Sequence, residues 1–230
     1  MPTSLLAIAT KALEENYFFQ VPDTEASTFE EPGARKRHAG ICAGAVRATG
    51  RPTAMCASNM VNLPKELVGE FIDAVVQDRD RAKSLLSAHP QLIDARWIHN
   101  EAVVHFLAVE GFNDAVEFLA ECGADVNAVN EFGDSPLIDV AVLGNAAAAQ
   151  VLLRHGANPN ANSVTRNNPL DCAVRSGNVA IVRLLLESGA DGRYVTDLGQ
   201  SVFDALPPSA TGREGIVALL AHYGITPNGG

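Results

Sequence analysis

The stretch GDSPLIDVAVLGNAAAAQVLLRHGANPNA, residues 133–161, decides the fold. It divides into two short helical blocks punctuated by glycine. Ser135 offers an N-cap oxygen, and Pro136 follows at the first helical position, where its missing N–H costs nothing. Gly144 is placed to end the first helix in a left-handed cap, and Gly156 to end the second. Leucines within NAAAAQVLLRHG (145–156) make one apolar face, suited to packing on the first helix and on whatever lies beyond it. Two helices this short cannot bury such a face alone, so the stretch predicts copies of itself stacked alongside.

The copies are present. Glycines recur at Gly111, Gly144 and Gly177, and again at Gly123, Gly156 and Gly189, each series stepping by 33 residues. Pro136 and Pro169, and Leu137 and Leu170, keep the same step. Two ladders in phase at one period are the mark of a repeat architecture. The segment NPLDCAVRSGNVAIVRLLLESGAD (168–191) repeats the grammar, with Asn168 as the capping residue and Gly177 and Gly189 as the stops. Upstream, AVVHFLAVEGFNDAVEFLAECGADVNA (102–128) keeps both glycines and carries His105.

These motifs resemble the ankyrin-repeat family, whose pattern runs from a Thr/Ser-Pro-Leu-His start through a leucine-rich second helix to Gly-Ala-Asp-Val-Asn-Ala. The resemblance covers about residues 66–226. It implies an all-α solenoid of about five helix-turn-helix units: three clear repeats with degenerate caps, at about 66–98, 99–131, 132–164, 165–197 and 198–226. In the first, EFIDAVVQDRDRAKSLLSAHPQLIDAR (70–96), Asp78 and Pro90 replace the glycines, as suits a polar end repeat. In the last, GQSVFDALPPSATGREGIVALLAHYG (199–224), an insertion around Pro207 and Pro208 delays the final glycine. His105 falls at the family's structural histidine, which hydrogen-bonds with the threonine three residues before it. Ile138 and Asp171 occupy that histidine position in the other two repeats, and Arg166 stands at a turn glycine.

A metal reading competes for one segment. CGADVNAVNEFGDSPL (122–137) is rich in side-chain oxygens and looks like a calcium loop. Such a loop needs glycine at its sixth position and a bidentate glutamate at its twelfth. Counting from Asp125, those positions hold Asn130 and Pro136. The oxygens are better read as turn formers, and no metal or cofactor is expected.

Charge and cysteine content narrow the function classes. Residues 1–65 carry seven Lys/Arg and six Asp/Glu, whereas residues 66–230 carry ten and twenty-one. An acidic repeat region is repelled by phosphate backbones, which argues against a nucleic-acid partner and suits a basic protein surface. The four cysteines (Cys42, Cys56, Cys122 and Cys172) form no C-x-x-C pair, as expected of reduced thiols in the cytoplasm. No apolar run reaches the ~20 residues that span a bilayer. No secretory signal is read at the N-terminus.

Residues 1–65 read as a helical extension: a helix over 4–19, a polar linker over 20–34 and a second helix over 35–50. An enzymatic alternative sits here. Cys42, with Gly40 two residues and His38 four residues before it, weakly matches the Gly-x-Cys helix start of some cysteine peptidases. On that alternative the chain is an effector-like enzyme, delivered into a host cell, or an inhibitor, with the repeats selecting the target. Downstream repeats leave no second lobe to supply the histidine such a site needs, so an interaction module is the primary reading.

The resemblance also implies where binding occurs: the turn tips and the exposed side of the first helices, which together form a concave groove. By register the tips hold Trp97, His99 and Asn100, then Glu131, Phe132 and Asp134, then Arg166 and Asn167. Outward positions of the first helices are expected to hold Phe106, Asp139, Leu143, Cys172 and Arg175. Aromatic anchors within an acidic rim suit a protein segment of basic character.

Overall fold

The structure is a computed structural model and describes residues 63–163, 168–195, 199–208 and 212–227. The readings of residues 1–62, Cys42 included, and those of Arg166 and Asn167 lie outside the described residues.

Nine α-helices occur among the described residues: α1 Lys65–Gln77, α2 Arg79–Ala88, α3 Val103–Val109, α4 Asn113–Glu121, α5 Pro136–Leu143, α6 Ala146–Arg154, α7 Pro169–Arg175, α8 Val179–Glu187 and α9 Arg213–His222. Each of α1 to α8 pairs with its neighbour across a short turn. The first helices α3, α5 and α7 stack in one layer, and the second helices α4, α6, α8 and α9 in another. Val104, Leu137 and Leu170 of the first helices and Leu119, Leu152 and Leu185 of the second, at matching positions of successive pairs, are all fully buried. No pair is self-sufficient; each apolar face is closed by the next pair. The fifth unit differs from the others: residues 202–205 form turns where a first helix would stand, and among its described residues α9 alone is helical. No helix among the described residues is long and apolar enough to cross a membrane.

Glycine and asparagine set the joints. Gly144 takes φ 75° and Gly156 φ 87°, the left-handed conformation that stops a helix without a Cβ clash. Asparagines cap the helices that follow. Asn145 accepts from the Ala148 N–H at 3.1 Å, and Asn178 from the Ala180 and Ile181 N–H groups. Asp78, which replaces a glycine in the first repeat, caps α2 by accepting from the Arg81 N–H at 3.0 Å. Asn168 caps α7 as expected, accepting from the Asp171 N–H at 2.8 Å. Ser135 does not cap α5. Its hydroxyl is buried without a hydrogen-bond partner, a correction taken up below.

A second set of asparagines joins one repeat to the next. Asn127 donates to the Gly156 carbonyl at 3.0 Å and accepts from the Asn158 N–H at 2.7 Å. One period later Asn160 does the same with the Gly189 carbonyl (3.0 Å) and the Asp191 N–H (2.7 Å). Asn160→Ala removes both bonds at once. A loss of about 1–2 kcal/mol in urea unfolding is expected, with Asn160→Asp intermediate because it keeps the acceptor.

Candidate functional site

The site is built on two neighbouring turns. In the first, Arg96 and Ala102 form an isolated antiparallel bridge, and the Trp97 N–H donates to the Glu101 carbonyl at 2.7 Å. The chain reverses through His99 (φ 51°) and Asn100 (φ 57°), two consecutive non-glycine residues in the left-handed region. One period on, Gly133 supplies that conformation at φ 80°. Asparagine tolerates it better than most residues, but a left-handed pair of side-chain-bearing residues still costs about 1 kcal/mol or more for each.

Contacts with the second turn, residues 130–134, hold that conformation. The Glu131 N–H donates to the His99 carbonyl at 3.0 Å, and His99 Nδ1 lies 2.7 Å from Glu131 Oε1. The His99 and Phe132 rings are tilted at 42° with centroids 5.7 Å apart. The Arg96 guanidinium donates to the carbonyls of Asn100 (3.1 Å) and Val129 (2.9 Å). The two turns are clasped.

Asn130 shapes the second turn from inside. Its Oδ1 accepts from the N–H groups of Phe132 (2.9 Å) and Asp134 (3.0 Å), and Asp125 likewise accepts from the Asn127 N–H (2.9 Å). The Asp125, Asn127 and Asn130 side-chain oxygens that resemble a calcium loop thus accept from backbone N–H groups. Phe132, 47% exposed, and Leu143, 58% exposed, stay open to solvent. Trp97, His99 and Asn100 are half-buried, and Glu131 is exposed. Arg175 is exposed and paired with Asp171 at 3.0 Å.

Four expected surface residues are interior. Phe106, Asp134, Asp139 and Cys172 are all buried, so none is a free contact in this structure. The reason is the stacking of the first helices. α5 is packed on α3, α6 and α7, and every residue from Pro136 to Ala141 is buried. Of α3, α5 and α7, only Leu143 and Arg175, each the last residue of its helix, are exposed. Asp134 is drawn inward because its carboxylate accepts from the Ser163 hydroxyl at the far end of the same repeat.

Behind the turns lies a buried polar cluster that sequence reasoning did not assemble. His105 Nε2 and Asp139 Oδ2 are 2.8 Å apart, and the Asn130 amide donates to the same Asp139 oxygen at 3.4 Å. Glu101, only 4% exposed, completes the cluster. Burial pushes its carboxyl above the ordinary carboxylate range, opposed by His105 and reinforced by Asp139. Donor atoms of Glu101, His105 and Asp139 lie within 4.8 Å of one another, a set of the kind a divalent ion can use. Here the His105 and Asp139 donors are bonded to each other instead.

Two orphans mark a mismatch in this cluster. His105 Nδ1 is buried without a partner, and so is Ser135 Oγ. Three residues before His105 stands Ala102, which has no hydroxyl; three residues after Ser135 stands Ile138, which has no imidazole. The hydroxyl and the imidazole that would satisfy each other sit in different repeats. Ala102→Ser restores a hydroxyl within the His105 repeat and is expected to stabilise the fold by about 1 kcal/mol in urea unfolding. Asp139→Ala, which strips His105 of its remaining partner, is expected to cost about 3 kcal/mol.

Residues 104–195 match the family model of ankyrin repeats, in three copies. Comparison with curated proteins gave no match. The helical pairs of this stretch are ankyrin repeats, and the two-layer stack they form is the ankyrin solenoid.

Proposed function

We propose that the ankyrin-repeat domain binds a partner protein through the clasped turns at Trp97–Asn100 and Glu131–Phe132, extended along the groove by Leu143 and Arg175. Ankyrin repeats generally mediate protein–protein interaction, and the observation that carries the finer reading is Phe132. A phenylalanine 47% exposed at a turn tip is a large apolar side chain held out in solvent. Asn130 fixes the backbone beneath it, and His99 fixes its ring. Little ordering is left for a partner to impose, which is what makes an aromatic anchor effective.

The partner segment is basic. Glu131, exposed beside the Phe132 ring, offers a carboxylate and an aromatic face to a single lysine or arginine side chain. The chain is a recognition module with no chemistry of its own, and its acidic repeat region disfavours nucleic acid.

The test is affinity capture with the full chain and its variants. Phe132→Ala and Glu131→Ala are expected to lower recovery of the captured protein at least tenfold, with the melting temperature unchanged. Recovery is also expected to fall as salt is raised, because a rim charge pair is screened. Undiminished capture by both variants counts decisively against this surface.

A further inference from the structure

Three buried side chains able to ligate a metal converge behind the clasped turns. Glu101 ends the first turn, His105 lies on α3 and Asp139 on α5, and one donor atom from each is within 4.8 Å of the other two. Among the described residues no other trio of His, Cys, Asp or Glu donors meets that condition. None of the three belongs to the calcium-like stretch 122–137. Acidic residues gathered on a surface need no ion, because water solvates them. Here Glu101 is 4% exposed, Asp139 8% and His105 0%, and an interior carboxylate needs a cation or donors in place of water.

The imidazole supplies a second observation. His105 Nε2 lies 2.8 Å from Asp139 Oδ2, while Nδ1 is buried with no hydrogen-bond partner. In the tautomer that donates from Nε2 to Asp139, Nδ1 keeps a bare lone pair in the interior. One ring N–H given to a carboxylate, with the other nitrogen left open, is the arrangement of a metal-binding histidine. The Asn130 amide donates to the same Asp139 oxygen at 3.4 Å, an outer partner of the kind that orients a ligating carboxylate. Charge points the same way. Two carboxylates and a neutral imidazole carry together the charge that one divalent ion cancels.

We propose that Glu101, His105 and Asp139 bind one divalent transition-metal ion of the zinc class. The ion takes a ring nitrogen of His105 and one oxygen from each carboxylate, leaving a fourth position to water. Bonds of about 2.0–2.2 Å put tetrahedral donors roughly 3.4 Å apart, so the three side chains shift by about 1 Å to close on it. An imidazole with two carboxylates suits zinc or cobalt. Calcium is excluded because it takes six to eight oxygens. Glu101 and His105 belong to the second repeat and Asp139 to the third, so the ion ties α3 to α5 and its role is structural. The proposal stands apart from the partner surface and is read on the domain alone.

The experiment uses the full chain stripped with EDTA and titrated with zinc chloride, with thermal melting as the readout. The melting temperature is expected to rise with zinc concentration, as for any ligand of the folded state, and to stay unmoved by magnesium or calcium chloride. Cobalt chloride is expected to give the visible absorption of a four-coordinate site with nitrogen and oxygen donors, saturating at one ion per chain. Glu101→Gln and Asp139→Asn, each close in shape to the residue replaced, are expected to weaken zinc binding about tenfold or more. His99→Gln, Glu131→Gln and Cys122→Ser, all outside the trio, are expected to keep it. A wild-type chain that zinc does not stabilise and that gives no one-to-one cobalt spectrum overturns the proposal without any variant. Full zinc binding by Glu101→Gln overturns it as well. So does loss of binding in His99→Gln, Glu131→Gln or Cys122→Ser, which would put the ion on the surface.

Discussion

The side-chain amide of asparagine, bridging one repeat to the next, is the interaction on which the rest of this molecule depends. An amide carries a donor and an acceptor on one short stem, so a single residue can take a carbonyl and an N–H of the following repeat together. Asn127 does so across Gly156 and Asn158, and Asn160 across Gly189 and Asp191. Gly156 and Gly189 are left-handed, at φ 87° and 88°. The glycine that ends a helix therefore also presents its carbonyl to the preceding repeat. Helix termination and repeat stacking are one event, which is why the glycine ladders and the asparagines keep the same period. Asn178 extends the logic to the other turn, capping α8 while donating to the Gly144 carbonyl at 2.8 Å.

The same economy explains how the surface is made. Turns joined by asparagine leave their tips with few constraints, and a recognition module needs tips that are ordered. In this chain the order comes from pairing tips with each other. His99 and Glu131 meet as donor and acceptor, His99 and Phe132 as rings, and Arg96 crosses from one turn to the carbonyls of both. The buried cluster beneath them is ordered by different chemistry, with an imidazole, two carboxyls and an amide brought together in the interior. Surface clasp and interior cluster meet at Asn130, whose oxygen shapes the tip and whose amide reaches Asp139.

How far all this was legible in the sequence depends on what each residue's period can encode. Gly111, Gly144 and Gly177 reveal themselves because only one backbone conformation explains their spacing, and the Asx oxygens of 122–137 because their ligand positions fail for calcium. The direction of a side chain on a first helix is another matter. Phe106, Asp139 and Cys172 share one register position, and the period says nothing about whether that position meets the groove or the neighbouring repeat. Helix α5 is apolar nearly all round, so it has no polar stripe to mark its outer face. Asp139 misleads for that reason: a carboxylate ordinarily signals solvent, and here it signals His105. Glu101 and Asn130 lie in turn sequence, where polar residues are expected and attract no notice. The available clue was negative, namely the absence of a hydroxyl at Ala102 beside a buried histidine.

Consider finally the left-handed pair His99 and Asn100. Neither would hold φ near 50–60° by preference, so the turn exists because its neighbour grips it. Such a turn is a cocked element. The turn carries its strain at the surface, while the helices beneath are held by burial. Amide hydrogens that close the clasp, those of Trp97 and Glu131, thus belong to a local opening mode separate from global unfolding. The clasp is a compliant joint on a stack of buried helices, and it lies at the surface proposed to meet a partner.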